Sequence, residues 1–93
     1  MTYEWDARKA ASNRAKHAVT FEEASSVFLD LLALTFPDPA HSFEERREIT
    51  IGCTMKMRLA FVYHCERHGR IRIIGARLAT PREREQYEEG TDV

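Results

Sequence analysis

Between Arg46 and Leu78 the chain carries three stretches of strand character separated by breaks of only a few residues. Breaks that short can join antiparallel strands but cannot carry the crossover that a parallel pair needs. In Arg46-Arg47-Glu48-Ile49-Thr50-Ile51 the residues alternate, so that Ile49 and Ile51 take one face and Arg46, Glu48 and Thr50 the other. A turn at Thr54–Lys56 leads into a strand from Met57 to Cys65, and a turn at Glu66–Gly69 into one from Arg70 to Leu78. Folding the first pair about its turn sets Ile51 against Leu59 and Ile49 against Phe61, with Cys53 opposite Met57. On the other face Glu48 meets Val62 and Arg46 meets His64, with Arg58 further along, which predicts a polar working face. The third strand has two alignments: one brings Arg77 beside Arg58, and a slip of one residue brings Arg72 there instead.

Helices flank this meander. Asp6 offers an N-cap for a helix to about Lys16, with Ala7, Ala10, Ala11 and Ala15 as small residues for close packing. Thr20 and Glu23 read as a capping box opening a second helix, whose Phe21, Ala24, Val27, Phe28 and Leu31 recur at helical spacing. Leu32 to Phe36 suits a strand that Pro37-Asp38-Pro39 stops, and residues 40 to 45 read as a mobile loop. Thr80-Pro81-Arg82-Glu83 starts a last helix with a cap, a proline at N1 and a glutamate at N3. The expected fold is one α+β domain spanning 1–93: two N-terminal helices, an antiparallel sheet of three to four strands and a C-terminal helix.

Charge is sorted along this plan. Residues 46 to 84 hold ten Lys/Arg against three acids, while residues 1 to 45 hold four against eight, and the last nine residues hold four acids and no base. The formal net charge of −1 conceals a strongly basic segment that coincides with the predicted strands. Such a face suits a polyanion, and eleven of the fourteen basic residues are arginine, whose planar fork grips phosphate oxygens in pairs. The longest apolar run, Val27 to Phe36, is broken by Asp30 and is too short for a membrane span, and no signal pattern opens the chain, so a cytoplasmic protein without membrane contact is expected. Cys53 and Cys65 lie far apart in the hairpin and read as reduced structural thiols. Cys65-x-x-His68 lacks a second ligand pair at zinc-finger spacing, and no carboxylate cluster suited to magnesium is visible, so neither metal nor cofactor is expected.

RNA cleavage without a metal needs a base for the 2′-hydroxyl, cations for the phosphorane and an acid for the leaving oxygen. Arg46, Arg58, Arg72 and Arg77 are candidate cations, and Lys16, His17, Glu48, His64 and Tyr87 candidate proton carriers. Each also has an ordinary reading. Glu83 serves as a helix cap, Lys16 and His17 suit the negative end of a helix, Tyr87 packs a helix with its hydroxyl exposed, and His64 sits on a strand surface. His41 and His68 lie in loops and receive no role.

Several segments together resemble the BrnT toxins of type II toxin–antitoxin systems. They are Trp5-Asp6 with Lys9, Asn13 and Lys16-His17; Val19-Thr20-Phe21-Glu22-Glu23-Ala24; Val27-Phe28-x-Asp30; Pro37-Asp38; Glu45-Arg46 before Ile51-Gly52; Arg72-Ile73-Ile74-Gly75-Ala76-Arg77; and Glu83-Arg84-x-x-Tyr87-Glu88. The resemblance runs nearly end to end. It implies a RelE-like fold and a ribonuclease that arrests translation and growth. It also implies a BrnA-type ribbon-helix-helix antitoxin that neutralises the toxin, reaches operator DNA on behalf of both and assembles with it as a heterotetramer. Two positions depart from the family pattern. Ala18 stands for a glycine, which argues against a left-handed helix cap there, and Gly75 stands for a serine, which would lower activity if that serine makes a hydrogen bond.

The leading reading is therefore a metal-independent endoribonuclease acting on single-stranded RNA. Its expected catalytic set is Arg46, Glu48, Arg58, His64 and Arg77, and its expected substrate-binding set is Lys16, His17, Arg72, Arg84 and Tyr87. The alternative is a non-catalytic module whose basic face docks nucleic acid or an acidic protein.

Overall fold

The computed structural model describes residues 2–90. The elements run β1 (Tyr3–Glu4), α1 (Ala7–His17), α2 (Phe21–Ser25), a 3-10 turn (Ser26–Leu29), β2 (Leu34–Pro37), a second 3-10 turn (Pro39–His41), β3 (Arg47–Cys53), β4 (Leu59–Arg67), β5 (Arg70–Leu78) and α3 (Pro81–Glu89). The strands form one sheet in the order β1-β5-β4-β3-β2. The antiparallel meander β3-β4-β5 is at its centre, as its short turns require. The sheet is nevertheless mixed and five-stranded rather than antiparallel with three to four strands, because Tyr3 and Glu4 lie parallel to Ile71 and Arg72.

The β3–β4 register differs from the expected one by two residues. Ile51 faces Phe61, Ile49 faces Tyr63 and Glu48 faces His64. The cause is the turn: Thr54 N–H donates to the Arg58 carbonyl and Met57 takes a left-handed φ of 61°, so the loop is Met55–Met57 and not Thr54–Lys56. A shift of two keeps every side chain on its face. A bulge in β5 has the opposite effect, since Tyr63 pairs with Gly75 but His64 with Ile73, leaving Ile74 as the extra residue. The bulge reverses the alternation, so Arg77 opposite Phe61 and Arg72 opposite Cys65 share one face, which the two sequence alignments held to be exclusive.

Both faces are partly covered. Under α1 and α2 lie Val62, Ala60, Ile73 and Ala76, packed with Val19, Phe21, Ala24 and Val27. On the opposite face Ile49, Ile51, Leu59 and Phe61 pack against Phe36, Tyr63, Ala79 and Tyr87 of α3. The face expected to be polar and working is thus the one beneath the N-terminal helices. Thr50 and His64 are buried there, with the Thr50 hydroxyl 2.8 Å from His64 Nε2 and the Phe28 ring edge-on to the imidazole at 4.9 Å. Burial pushes the His64 pKa down to about 4.

The same side holds an ion pair built on a buried carboxylate. Glu23 is 1% exposed, and its carboxylate accepts bonds from Arg58 Nε at 2.9 Å, from Arg58 Nη2 and from the Thr54 hydroxyl at 2.7 Å. The Arg58 guanidinium holds the Glu23 carboxyl below the usual carboxylate range. Glu23 is therefore not the second half of a capping box, and only the Thr20 hydroxyl caps α2, accepting from Glu23 N–H at 3.1 Å. Arg58 also donates to the Ala18 carbonyl at 3.0 Å. Ala18 does close α1 in the left-handed region at φ 55°, against the expectation drawn from its side chain, and this bond helps to hold it there. Leu31, expected in the core, is fully exposed, because α2 gives way to a 3-10 turn that ends at Leu29.

Candidate functional site

A groove of about 440 Å³ opens on the α3-side face, beside the β5 bulge. Its walls include His17 from the end of α1, Asp38 and His41 from the loop after β2, Arg47 from β3, Tyr63 from β4 and Gly75 and Arg77 from β5. Each is placed by a local device. Asn13 of α1 acts as a strand partner: its side-chain amide donates to the Ala76 carbonyl at 2.8 Å and accepts from Ala76 N–H at 3.1 Å. It also donates to the Val19 carbonyl at 3.1 Å. β1 pairs with β5 at Ile71 and Arg72, so Asn13 meets backbone groups further along that edge and fixes the end of α1, with His17, against the groove.

The loop carrying His41 is not loose. Its Ser42 hydroxyl donates to the Asp38 carbonyl at 2.7 Å and accepts from Arg47 N–H at 2.9 Å, while Asp38 N–H donates to the Arg47 carbonyl at 2.9 Å. Within it Asp38 Oδ2 lies 2.9 Å from His41 Nδ1. The Asp38 side chain is 9% exposed and that of His41 59%. A carboxylate on Nδ1 draws the imidazole proton to that nitrogen and leaves Nε2 as the acceptor, the arrangement of an oriented general base.

Arg77 stacks over the Phe61 ring at 4.1 Å and donates to both Glu83 oxygens, at 2.8 and 2.9 Å. Glu83 also accepts from Thr80 N–H at 2.9 Å in a true capping box. Burial pushes the Glu83 carboxyl up, but the bonds from Arg77 and Thr80 outweigh it and leave its pKa lowered. The ion pair fixes the plane of a guanidinium that still lines the groove. Arg47 is held more lightly, with Glu45 3.6 Å away. A recess of about 210 Å³ adjoins the groove through Asn13, His17 and Ile74 and adds Lys9 and Lys16. Two guanidiniums, two imidazoles and a phenol thus converge on a space reached from a lysine-bearing flank.

Of the residues expected to act, Arg77 and His17 line this groove and Lys16 flanks it. The others lie elsewhere. Arg58 is committed to Glu23, and Arg72 to Glu4 at 2.9 Å. Glu48 and His64 belong to the helix-covered face, and a buried imidazole whose pKa is depressed to about 4 is poorly placed to exchange protons with a substrate. Arg46 is exposed but precedes β3, and its neighbour Arg47, on the Ile49 and Ile51 face, takes the groove position. Arg84 is exposed on α3 outside the groove lining. The Tyr87 hydroxyl is not free: it donates to Asp30 Oδ2 at 2.6 Å, a bond that pushes its pKa up to about 12. Asp30 also accepts from Cys53 N–H at 2.8 Å and Leu32 N–H at 3.0 Å, so Tyr87 ties α3 to the sheet edge.

Asp38, His41, Arg47 and Tyr63 line the groove without being among the residues expected to act. Arg47 and Tyr63 were legible in principle, since strand parity puts Arg47 with Ile49 and the register puts Tyr63 across from it. Asp38 and His41 have a weaker signature, an aspartate three residues before a histidine where two prolines favour a tight turn.

Comparison with known proteins agrees with this architecture. No curated protein matches the chain significantly. Among solved structures, that of the Brucella abortus ribonuclease toxin BrnT superposes with a TM-score of 0.67 at 23% sequence identity, covering 86% of this chain and 99% of that one, a likeness of fold. Residues 5–83 match the family described as the ribonuclease toxin BrnT of type II toxin–antitoxin systems. A match over most of the sequence, carried on the same α+β frame, places the chain in the BrnT family of ribonuclease toxins.

Proposed function

We propose that this chain is a metal-independent endoribonuclease of RelE-like type that cuts RNA in the groove between α1 and the 38–47 loop. The observation that carries this reading is the Asp38–His41 pair opening onto the same space as Arg47, Arg77 and His17. His41 Nε2 takes the proton from a ribose 2′-hydroxyl while Asp38 stabilises the resulting imidazolium. The 2′-oxygen then attacks phosphorus and the bond from phosphorus to the 5′-oxygen breaks. His17 gives its proton to that leaving oxygen, so the products are a 2′,3′-cyclic phosphate and a free 5′-hydroxyl. Arg47 and Arg77 face the charge that builds on the phosphorane oxygens, and the fixed plane of Arg77 spares it reorganisation during the reaction. Lys9 and Lys16 guide the strand in from one side. The groove's own donor set supports a metal-free route, because its single carboxylate, Asp38, is already bonded to His41.

Membership of a type II toxin family supports a protein antitoxin as partner. We take it to be a ribbon-helix-helix protein that covers the groove, pairs two toxins into a heterotetramer and carries both to operator DNA, all in the cytoplasm. The test is RNA cleavage by His41→Asn protein in the presence and absence of EDTA. Loss of cleavage by about 100-fold or more, with EDTA leaving the unsubstituted protein unaffected, is the expected result. Undiminished cleavage by a folded His41→Asn protein removes the dyad from the mechanism, and inhibition by EDTA removes the metal-free route. RNA binding without any cleavage would favour the non-catalytic reading.

A further inference from the structure

We propose that the recess next to the groove is a nucleobase subsite in which Phe43 is the stacking platform, placing one unpaired base beside the scissile phosphate. This rests on the groove's being the RNA site. The recess, of about 460 Å³, is bounded by His41, Phe43, Glu44, Glu45, Arg47 and Arg67, and it shares His41 and Arg47 with the groove. A nucleotide whose phosphate lies between Arg47 and Arg77 therefore has its neighbour at this opening.

Three features suit a base there and not a second phosphate. Phe43 is 88% exposed, on a loop otherwise closed by its own hydrogen bonds, and its ring borders the recess. An exposed ring that serves no core is a ready face for stacking, and base-on-aromatic stacking tolerates any sequence. The recess is also close to neutral: the two arginines that border it, Arg47 and Arg67, are balanced in number by Glu44 and Glu45, and Glu45 is paired with Arg67 at 2.8 Å. Finally, the Arg67 guanidinium and the Glu44 and Glu45 carboxylates offer both donors and acceptors, which is what the edge of a base needs and a phosphate does not. The subsite asks for a base free to leave its helix, and so selects single-stranded RNA.

The experiment uses Phe43→Trp protein and a short 2′-O-methyl oligoribonucleotide, which binds but lacks the attacking hydroxyl. The only native tryptophan, Trp5, packs edge-on to Phe21 and supplies a constant background. Emission from the new tryptophan should be quenched by the oligonucleotide and not by an abasic strand with the same number of phosphates. In parallel, Phe43→Ala should weaken binding by roughly 5-fold or more, and Phe43→Trp should not. A bound oligonucleotide that leaves the emission unchanged overturns the subsite while leaving the groove intact. Quenching by a bound antitoxin but by no bound oligonucleotide overturns it in favour of a protein anchor. Failure of any oligonucleotide to bind, with cleavage also insensitive to His41→Asn, overturns the groove reading itself.

Discussion

The two faces of the β3-β4-β5 meander carry similar residues to opposite ends. Beneath α1 and α2, Glu23 and His64 are sealed in: the carboxylate, 1% exposed, takes up the Arg58 guanidinium, and the imidazole is held neutral by burial. On the other face Arg47, Arg77, His17 and His41 border open space, and the carboxylates near them orient side chains without enclosing them. The lesson is that residue type does not decide between structure and chemistry in this chain. Strand parity does, reset once by the bulge at Ile74. Substitutions on the covered face should reach activity only by unfolding the protein, and those in the groove should reach it with the fold intact.

The most severe test of that division is Arg58→Ala, which strands the Glu23 carboxylate in the interior. Leaving a buried carboxylate without its partner costs several kcal/mol where both groups are enclosed, and the partial exposure of Arg58 brings the loss expected in chemical denaturation to about 3 kcal/mol. A variant of unchanged stability that no longer cleaves RNA would move Arg58 into the catalytic set and blur the distinction between the faces.

Acid should act through the covered face as well. The His64 pKa is lowered in the folded state to about 4 from an unfolded value near 6.5, so the unfolded chain binds the proton first and stability falls as pH drops between those values. The full loss is roughly 3 kcal/mol. His64→Gln, which keeps a bonding partner for Thr50, should flatten stability over that window. Denaturant titrations at several pH values would show whether it does.

Asn13→Ala tests the joint between the two regions. It leaves the Ala76 backbone groups without their partner and should cost about 2 kcal/mol. It should also lower cleavage beyond what that instability explains, because His17 loses its anchor. Gly75→Ser is milder. Its added Cβ would meet Tyr63 Cδ2 at 3.6 Å and Asn13 Oδ1 at 3.7 Å, ordinary contacts, so stability should stay within about 0.5 kcal/mol. A hydroxyl on the groove floor should raise cleavage a few-fold, about the value of one hydrogen bond. Ala18→Gly, which relieves a left-handed alanine, should stabilise by about 1 kcal/mol and leave cleavage unchanged.

Much of the frame was legible because it follows from local rules. Tight breaks dictated antiparallel pairing, Asp6, Thr20 and Thr80 capped their helices, and Ile49 and Ile51 marked one core face. The working face was not legible, because alternation in β3 separates two faces without saying which will be covered. Glu48 and Thr50 read as solvent-facing, and only the hydrogen bond of Thr50 to His64 and the close approach of Val27 to Gly52 reveal that the helices settle there. The bulge at Ile74 has no glycine or proline at the extra residue to announce it. His41 reads as a loop residue without a role because its partner Asp38 is brought to it by a turn, not by any periodic element.

Confinement of the chemistry to the groove face is probed most directly by Arg47→Ala, since Arg47 lines the groove and is held only by Glu45 at 3.6 Å among the described ion pairs. Single-turnover cleavage of RNA should fall about 100-fold or more while the melting curve of the protein stays where it was. Cleavage that persists at the native rate in a protein with that same melting curve would contradict the assignment.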